Sequence, residues 1–350
     1  MTIPGIPNPA VPYGSLIVIS GASGFIGSHV ADQALAAGYK VRGTTRDVQK
    51  NQWIETLFNQ KYGKDSFELV AVPDMEVKGA FDKAVEGAAG FVHVANDMQG
   101  SRDPKIAIPR AVEGVLNALK SSAQAGLKRF VFTSSSFAVT QPKPGKVFTL
   151  TKDSYNDEAV ERVRQSTYDG ETVYSASKVE SERAISKWVK ENNCSLVVNT
   201  VQPNANIGPL INAAKQGYPT SARWVKKLWD HDYESLKDTP PQHFINVQDD
   251  ARLHIIGLAH PSVQNERIFA IAGPVNLQDI VSILRKLYPQ KKWEDFPNND
   301  KDLSTFEPIK RAEALLKESY GAGFIGLEDS VRGNAADLAA EEGLVTPSCY

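Results

Sequence analysis

Residues 16–27 read LIVISGASGFIG, a short apolar run followed at once by three glycines, Gly21, Gly24 and Gly27, and then by a helical pattern. A β-branched run that is apolar on both faces is what a parallel strand needs when helices cover its sheet on both sides. At the turn that follows, Gly21 permits the sharp reversal, Gly24 lets an anion approach the backbone, and Gly27 lets the helix pack close to the sheet. The helix start adds free N–H groups and about half a positive charge, so the segment predicts a pyrophosphate cradle in a first βαβ unit. With 25 glycines in 350 residues the triplet alone would carry little. Its place between a strand and a helix gives it weight.

The same rhythm continues, with strands expected over 15–20, 40–45, 67–72, 90–94, 129–134, 195–202 and 267–272. Helices are expected over about 25–37, 104–125, 170–192, 246–260 and 276–287, the first ended by Gly38. This alternation predicts an α/β fold: a doubly wound parallel Rossmann sheet of about seven strands, with a smaller C-terminal substrate lobe. The rhythm fails between Pro203 and Pro241, where Tyr218, Trp224, Trp229 and Tyr233 gather, and again after Gly273. The expected division is a tail over 1–13 lying on the surface, a cofactor-binding domain over 14–202 plus 246–273, and a substrate lobe over 203–245 plus 274–350.

Charge narrows the partners. The 39 basic and 41 acidic residues leave a net charge of −2, and no run of five like charges occurs, so a nucleic-acid grip is not expected. No apolar run approaches the roughly 18 to 20 residues of a membrane span. The first twelve residues hold four prolines and no basic cluster, which fits neither a signal peptide nor a transit helix. With Cys194 and Cys349 alone and no Cys/His cluster, neither disulfide staples nor a metal is expected, and the reading is a cytoplasmic protein of open oligomeric state.

The second expected strand ends VRGTTRD, with Thr44, Thr45 and Arg46 where an NAD site would place an acidic residue. Arg46 can pair with a 2′-phosphate through two N–H groups, with Lys50 or Arg42 as a second cation, so the expected cofactor is NADPH/NADP+. The competing reading makes these solvated surface cations and gives the ribose hydroxyl to Asp47. Asp74, just past the third strand, is a candidate for the adenine amino group or, alternatively, a helix cap.

Three Tyr-x-x-x-Lys pairs occur: Tyr174/Lys178, Tyr233/Lys237 and Tyr288/Lys292. Spacing alone does not choose between them. Tyr288 meets Pro289, and Tyr233 lies in the irregular stretch before Pro240 and Pro241. Tyr174 and Lys178 instead share one face of the crossover helix after the fifth strand, near the carboxyl edge where ligands of such sheets bind. That strand ends Thr133-Ser134-Ser135-Ser136. Carbonyl reduction needs a hydride on carbon and a proton on the developing alkoxide. A phenol lowered by the Lys178 ammonium could donate that proton, Ser135 could polarise the carbonyl oxygen, and Lys178 could also reach ribose hydroxyls. The plainer reading of the serines is a strand end capping the next turn.

Taken together, GASGFIG, VRGTTR, FVHVA, KRFVFTSSS, YSASK, VQPNANIGP, INVQDDARLH and RKLYP resemble, in order, the extended short-chain dehydrogenase/reductase family over about residues 14–345. Within it they resemble the fungal and yeast NADPH-dependent aldehyde and ketone reductases, relatives of plant dihydroflavonol and cinnamoyl-CoA reductases. The resemblance implies Ser135, Tyr174 and Lys178 as catalytic. It implies a cofactor set of Gly21, Ser23, Gly24, Phe25, Ile26, Gly27, Arg46, Lys50, Asp74, Met75, Val94, Ala95 and Thr133, with Tyr174, Lys178, Pro203 and Asn204 at the nicotinamide end. The chain departs from the family pattern before Glu113-Gly114, where IPRAV lacks the Asn used for proton relay, and at the polar Asn96-Asp97-Met98. His93 reads as structural, and Asp250 with Arg252 as a helix start held by a salt bridge.

The function expected is therefore NADPH-dependent reduction of small or medium aldehydes and ketones. Asn96, Phe137, Asn204 and Trp224 are the candidate substrate contacts, and Tyr218, Trp229 and Phe244 could add to an apolar wall. Two other classes share the fold. An epimerase or dehydratase of nucleotide sugars would place acid/base carboxylates where Ser134 and Ser135 stand, and a non-catalytic NADP sensor would have lost Tyr174 or Lys178.

Overall fold

The computed structural model describes residues 2–96 and 102–344, so Asp97, Met98 and Cys349 lie outside the described residues. The first half runs β1 (Leu16–Ser20), α1 (Phe25–Ala36), β2 (Lys40–Thr45), α2 (Val48–Tyr62), β3 (Phe67–Ala71), β4 (Gly90–His93), α3 (Pro104–Gln124) and β5 (Arg129–Thr133). It continues through β6 (Val147–Leu150), α4 (Asp157–Arg164), α5 (Gly170–Glu191), β7 (Val197–Val201), β8 (Ala205–Ile207), α6 (Ala213–Gln216) and α7 (Ala222–Trp229). The remainder is β9 (Gln242–Asn246), α8 (Val247–Ala259), β10 (Arg267–Ile268), β11 (Gly273–Val275), α9 (Leu277–Leu287), β12 (Leu303–Phe306), α10 (Ile309–Tyr320) and α11 (Leu327–Glu341).

Seven parallel strands form the central sheet in the order β10-β7-β5-β4-β1-β2-β3, and they are the seven strands expected. Side chains alternate across it with the period of a strand. Ile17 and Ile19 enter one core with Val30 and Ala31 of α1 and Ile255 of α8, while Val18 enters the other with Val115 and Leu119 of α3 and Ile185 of α5. Chain order reverses about β1, which pairs with β2 on one side and β4 on the other. The crevice outside the carboxyl ends of β1 and β4 is thus the topological switch point, the place where such sheets bind ligands.

A second core gathers Val225, Leu228 and Trp229 of α7, Ile280 and Leu284 of α9, Leu338 of α11, and Phe244 and Trp293. Beside it β8, β9 and β11 form a three-stranded sheet. The stretch from 203 to 241, irregular by its sequence pattern, therefore holds a strand and two helices. Not all of the chain after Gly273 joins the second core: Ala312, Leu315 and Leu316 of α10 enter the first core, and Phe306 of β12 packs with Val139, Leu150 and Phe269. The N-terminal residues also differ from a tail lying on the surface. Ile3, Ile6 and Val11 are buried, Gly5 N–H donates to Ser319 O (3.0 Å), and Ala10 N–H donates to Ala259 O (2.7 Å), so the segment is stitched to α10 and α8. Among the described residues no helix is long and apolar enough to cross a membrane.

Candidate active site

The glycine turn has the geometry of an anion cradle. Gly21 sits at φ +67°, in the left-handed region, and a Cβ on Gly27 would lie 2.2 Å from the Gly21 carbonyl oxygen. Gly24 is the N-cap of α1, no side chain caps the helix, and no acidic residue occupies its first turn. The N–H groups at the start of α1 therefore meet no competing carboxylate, and the cradle fits a pyrophosphate. Phe25 contributes backbone only, because its ring is buried with Ala222 and Val247. Ser23 and Ile26 are half-buried beside it.

Ser20, which sequence reasoning treated only as a strand end, organises the neighbouring wall. Its Oγ accepts the N–H groups of Val94 and Ala95, both at 3.0 Å, and lies 3.0 Å from His93 Nδ1. Burial, with the Lys178 charge nearby, pushes His93 down to about 3, so it is neutral and acts as scaffold, as expected. Ala95 closes against Gly21, whose added Cβ would meet Ala95 Cα at 3.1 Å.

At the β2 end, Thr44 O accepts the N–H of Gly21 (3.1 Å), which brings Arg46 next to the cradle. Arg46 and Lys50 are both exposed. Arg42 is not available as a second cation: its guanidinium donates to Glu68 Oε1 (2.7 Å) and to the carbonyls of Ala84 (2.9 Å) and Glu86 (2.8 Å). Asp47 caps α2 by accepting Lys50 N–H (2.9 Å), and Asp74 caps the turn at Glu76 N–H (2.9 Å). Asn117 of α3 holds that turn by donating to the carbonyls of Met75 (3.1 Å), Glu76 (2.8 Å) and Val77 (3.2 Å). Met75 lies against Gly114, where a Cβ would come within 3.2 Å.

β5 and α5 bring Ser135, Tyr174 and Lys178 together. Asp169 caps α5 through Thr172 N–H (2.8 Å), which fixes the helix start one turn before Tyr174. Ser135 Oγ accepts Phe137 N–H (3.1 Å) as a turn cap and sits near enough to the Tyr174 phenol to lower its pKa. The buried Lys178 ammonium donates to Thr133 O (3.0 Å) and stands 5.9 Å from the Tyr174 ring centre. Pro203 O accepts Ser136 N–H (2.9 Å), so the segment just past β7 helps to set the serine turn.

The electrostatics correct one expectation. Burial pushes the Tyr174 phenol up rather than down, and the Ser135 hydrogen bond opposes that shift. The physical reason is desolvation, since a buried phenolate loses the water that would stabilise its charge. Burial also pushes Lys178 down to about 8, with Glu182 pulling it back up. A raised phenol is protonated at neutral pH, the state from which a proton donor starts.

Behind the site, Glu182 is buried. It accepts from Ser134 and, at 2.8 Å, from Arg267, whose guanidinium also lies 4.1 Å from the Tyr155 ring. Thr133 Oγ1 meets His254 Nε2 at 2.8 Å, and His254 Nδ1 lies 3.2 Å from Asp250. The salt bridge expected of Asp250 and Arg252 is made instead by Asp249 with Arg252 (3.0 Å), because one residue along a helix turns the side chain by about 100°.

On the substrate side Phe137 packs edge-on to Tyr174, ring centres 6.1 Å apart. Asn204 is half-buried just past β7, its Oδ1 accepting Ala205 N–H (2.7 Å), and Asn96 is half-buried beyond Ala95. Trp224 packs against the second core, and Phe137 is the candidate substrate residue that touches Tyr174. The other two tyrosines lie elsewhere. Tyr288 is buried against Trp229 (4.9 Å), and Tyr233 donates to Glu294 O (3.2 Å).

Residues 17–272 match the model of the NAD dependent epimerase/dehydratase family. "Aldehyde reductase 2" of Sporidiobolus salmonicolor is 34% identical over 96% of this chain and 98% of its own. "Ketoreductase nvfG" of Aspergillus novofumigatus is 36% identical over 92% of this chain and 96% of its own. Among solved structures, Gre2 from Candida albicans in complex with NADPH superposes with a TM-score of 0.79 at 25% identity, covering 94% of this chain and 99% of that one. The sheet order, the glycine cradle and these matches agree: the chain belongs to the NAD-dependent epimerase/dehydratase family, the extended short-chain dehydrogenases/reductases.

Proposed function

We propose that this protein is an NADPH-dependent carbonyl reductase that reduces aldehydes and ketones to alcohols, with Tyr174 as the proton donor. The observation that carries the reading is the Ser135–Tyr174–Lys178 cluster at the carboxyl edge of the sheet, beside a cradle that fits a pyrophosphate. Relatives named aldehyde reductase and ketoreductase, similar over more than nine-tenths of the chain, support it. Bound NADPH supplies the hydride. Gly21, Ser23, Gly24 and the N–H groups of Phe25, Ile26 and Gly27 would hold its pyrophosphate, with Arg46 and Lys50 at the 2′-phosphate. Asp74 and Met75 would lie toward the adenine, and Val94, Ala95, Thr133, Pro203 and Asn204 would line the nicotinamide half.

Ser135 and Tyr174 both direct O–H groups at the substrate oxygen, so the developing alkoxide takes its proton from Tyr174 Oη while Ser135 steadies the charge. Lys178 keeps a positive charge behind the phenol and stabilises the phenolate left after transfer. Phe137 supplies an apolar wall, with Asn96, Asn204 and Trp224 as further contacts; such a wall tolerates many carbonyl compounds. The epimerase/dehydratase alternative needs a free carboxylate near Ser134. Glu182, which Ser134 meets, is instead buried and paired with Arg267. The test is NADPH oxidation by the purified protein over aldehydes, α-keto esters, diketones and aryl ketones. Turnover with at least one class, much slower with NADH, is expected; a panel with no oxidation would overturn the reading.

A further inference from the structure

The glycine turn is held from outside by a residue that none of the motifs includes. Gln216, the last residue of α6, points its amide at the turn: Nε2 lies 3.2 Å from Ser23 O, 3.2 Å from Gly24 O and 2.9 Å from Ser28 Oγ. Its Oε1 accepts Asn212 N–H (3.1 Å), which fixes which end of the amide faces the carbonyls. A trans peptide unit is planar, with its carbonyl and N–H on opposite sides, so anchoring one orients the other. The Gly24 carbonyl takes both Gln216 and Ser28 N–H (2.9 Å), and this aims the Phe25 N–H out of the helix end. The Ser23 carbonyl is anchored likewise, and its partner Gly24 N–H closes onto Gly21 O (3.0 Å). Without side chains of their own to fix them, these glycine peptides have other conformations available when no cofactor is bound.

We infer that Gln216 is a positioning residue for the dinucleotide: it pre-orients the turn so that the Phe25 N–H is presented to the pyrophosphate. The inference rests on the cofactor reading above. Because the pyrophosphate is common to NADPH and NADH, loss of Gln216 weakens both by the same factor, unlike loss of a residue at the 2′-phosphate. The experiment is equilibrium titration of NADPH and NADH fluorescence on the full chain, native, Gln216→Ala and Gln216→Glu, with thermal midpoints measured without cofactor. Gln216→Ala should weaken both dinucleotides by about 5- to 20-fold, the scale of one or two lost hydrogen bonds. Gln216→Glu keeps the shape, has no N–H to donate and sets a carboxylate against two carbonyls, so it should lose at least as much. Midpoints should stay within about 2 °C of native. Binding within twofold of native in both variants, or a lowered midpoint with unchanged binding, would overturn the inference. A native chain that binds neither dinucleotide would instead overturn the cofactor reading itself.

Discussion

The cradle around Gly21 to Gly27 is made of backbone and missing side chains, whereas the core around Trp229 is made of side-chain bulk. In the cradle a methyl group on Gly27 would collide with a carbonyl at 2.2 Å. In the second core Trp229 lies between Tyr288 and Trp293 with ring centres 4.9 and 5.8 Å away, a contact that other large rings could also make. Holding a pyrophosphate dictates residue types one at a time. Closing an apolar wall dictates only volume. Substitutions in the first region should therefore act on cofactor binding, and those in the second on stability and substrate choice.

The largest effect is expected from Gly27→Ala. The collision is with backbone, so helix or turn must move, and NADPH affinity should fall by more than about 100-fold. Calorimetric titration checks it, and near-native affinity would mean that the cradle tolerates displacement. Next comes Arg46→Ala. One lost charge-assisted pair should weaken NADPH by about 10- to 100-fold and leave NADH nearly unchanged. Equal losses for both would make Arg46 structural.

Across the cleft, Phe137→Ala removes the ring that touches Tyr174 and should raise KM several-fold and alter facial selectivity toward prochiral ketones, with the NADPH Kd spared. Trp224→Ala should alter selectivity too. A lowered thermal midpoint with unchanged enantiomeric excess would assign it to the second core alone.

The smallest effect concerns pH. Burial pushes His29 down to about 4 and His93 to about 3. The unfolded chain takes up these protons below about 6.5 and the folded protein does not, so stability falls as pH drops below that value, by at most about 1.4 kcal/mol per pH unit for each histidine. The midpoint should decline by a few degrees between pH 6.5 and 5, and less steeply in His29→Gln.

The sheet was legible because buried parallel strands demand unbroken apolar runs, and LIVIS and FVFTSS have no other natural home. Gly21, Gly24, Gly27, Tyr174 and Lys178 were legible because their chemistry admits few substitutes. α11 was not: its buried face of Val331, Ala335, Leu338 and Ala339 is diluted by the equally buried Ser330 and Asn334, so the apolar stripe is weak in the sequence. The N-terminal anchors Ile3, Ile6 and Val11 follow no period, since prolines space them. Gln216 and Ser20 escaped notice for another reason. They act through neighbouring backbone, and a lone Gln or Ser has no spacing to betray that.

The central claim is that Tyr174 donates the proton, and Tyr174→Phe tests it by deleting one oxygen from a helix face. NADPH affinity and turnover should be measured on the same preparation. An unchanged Kd with kcat reduced by about 100-fold or more, the scale of a lost general acid, is the result the account predicts. A variant that binds NADPH and keeps most of its turnover would contradict it.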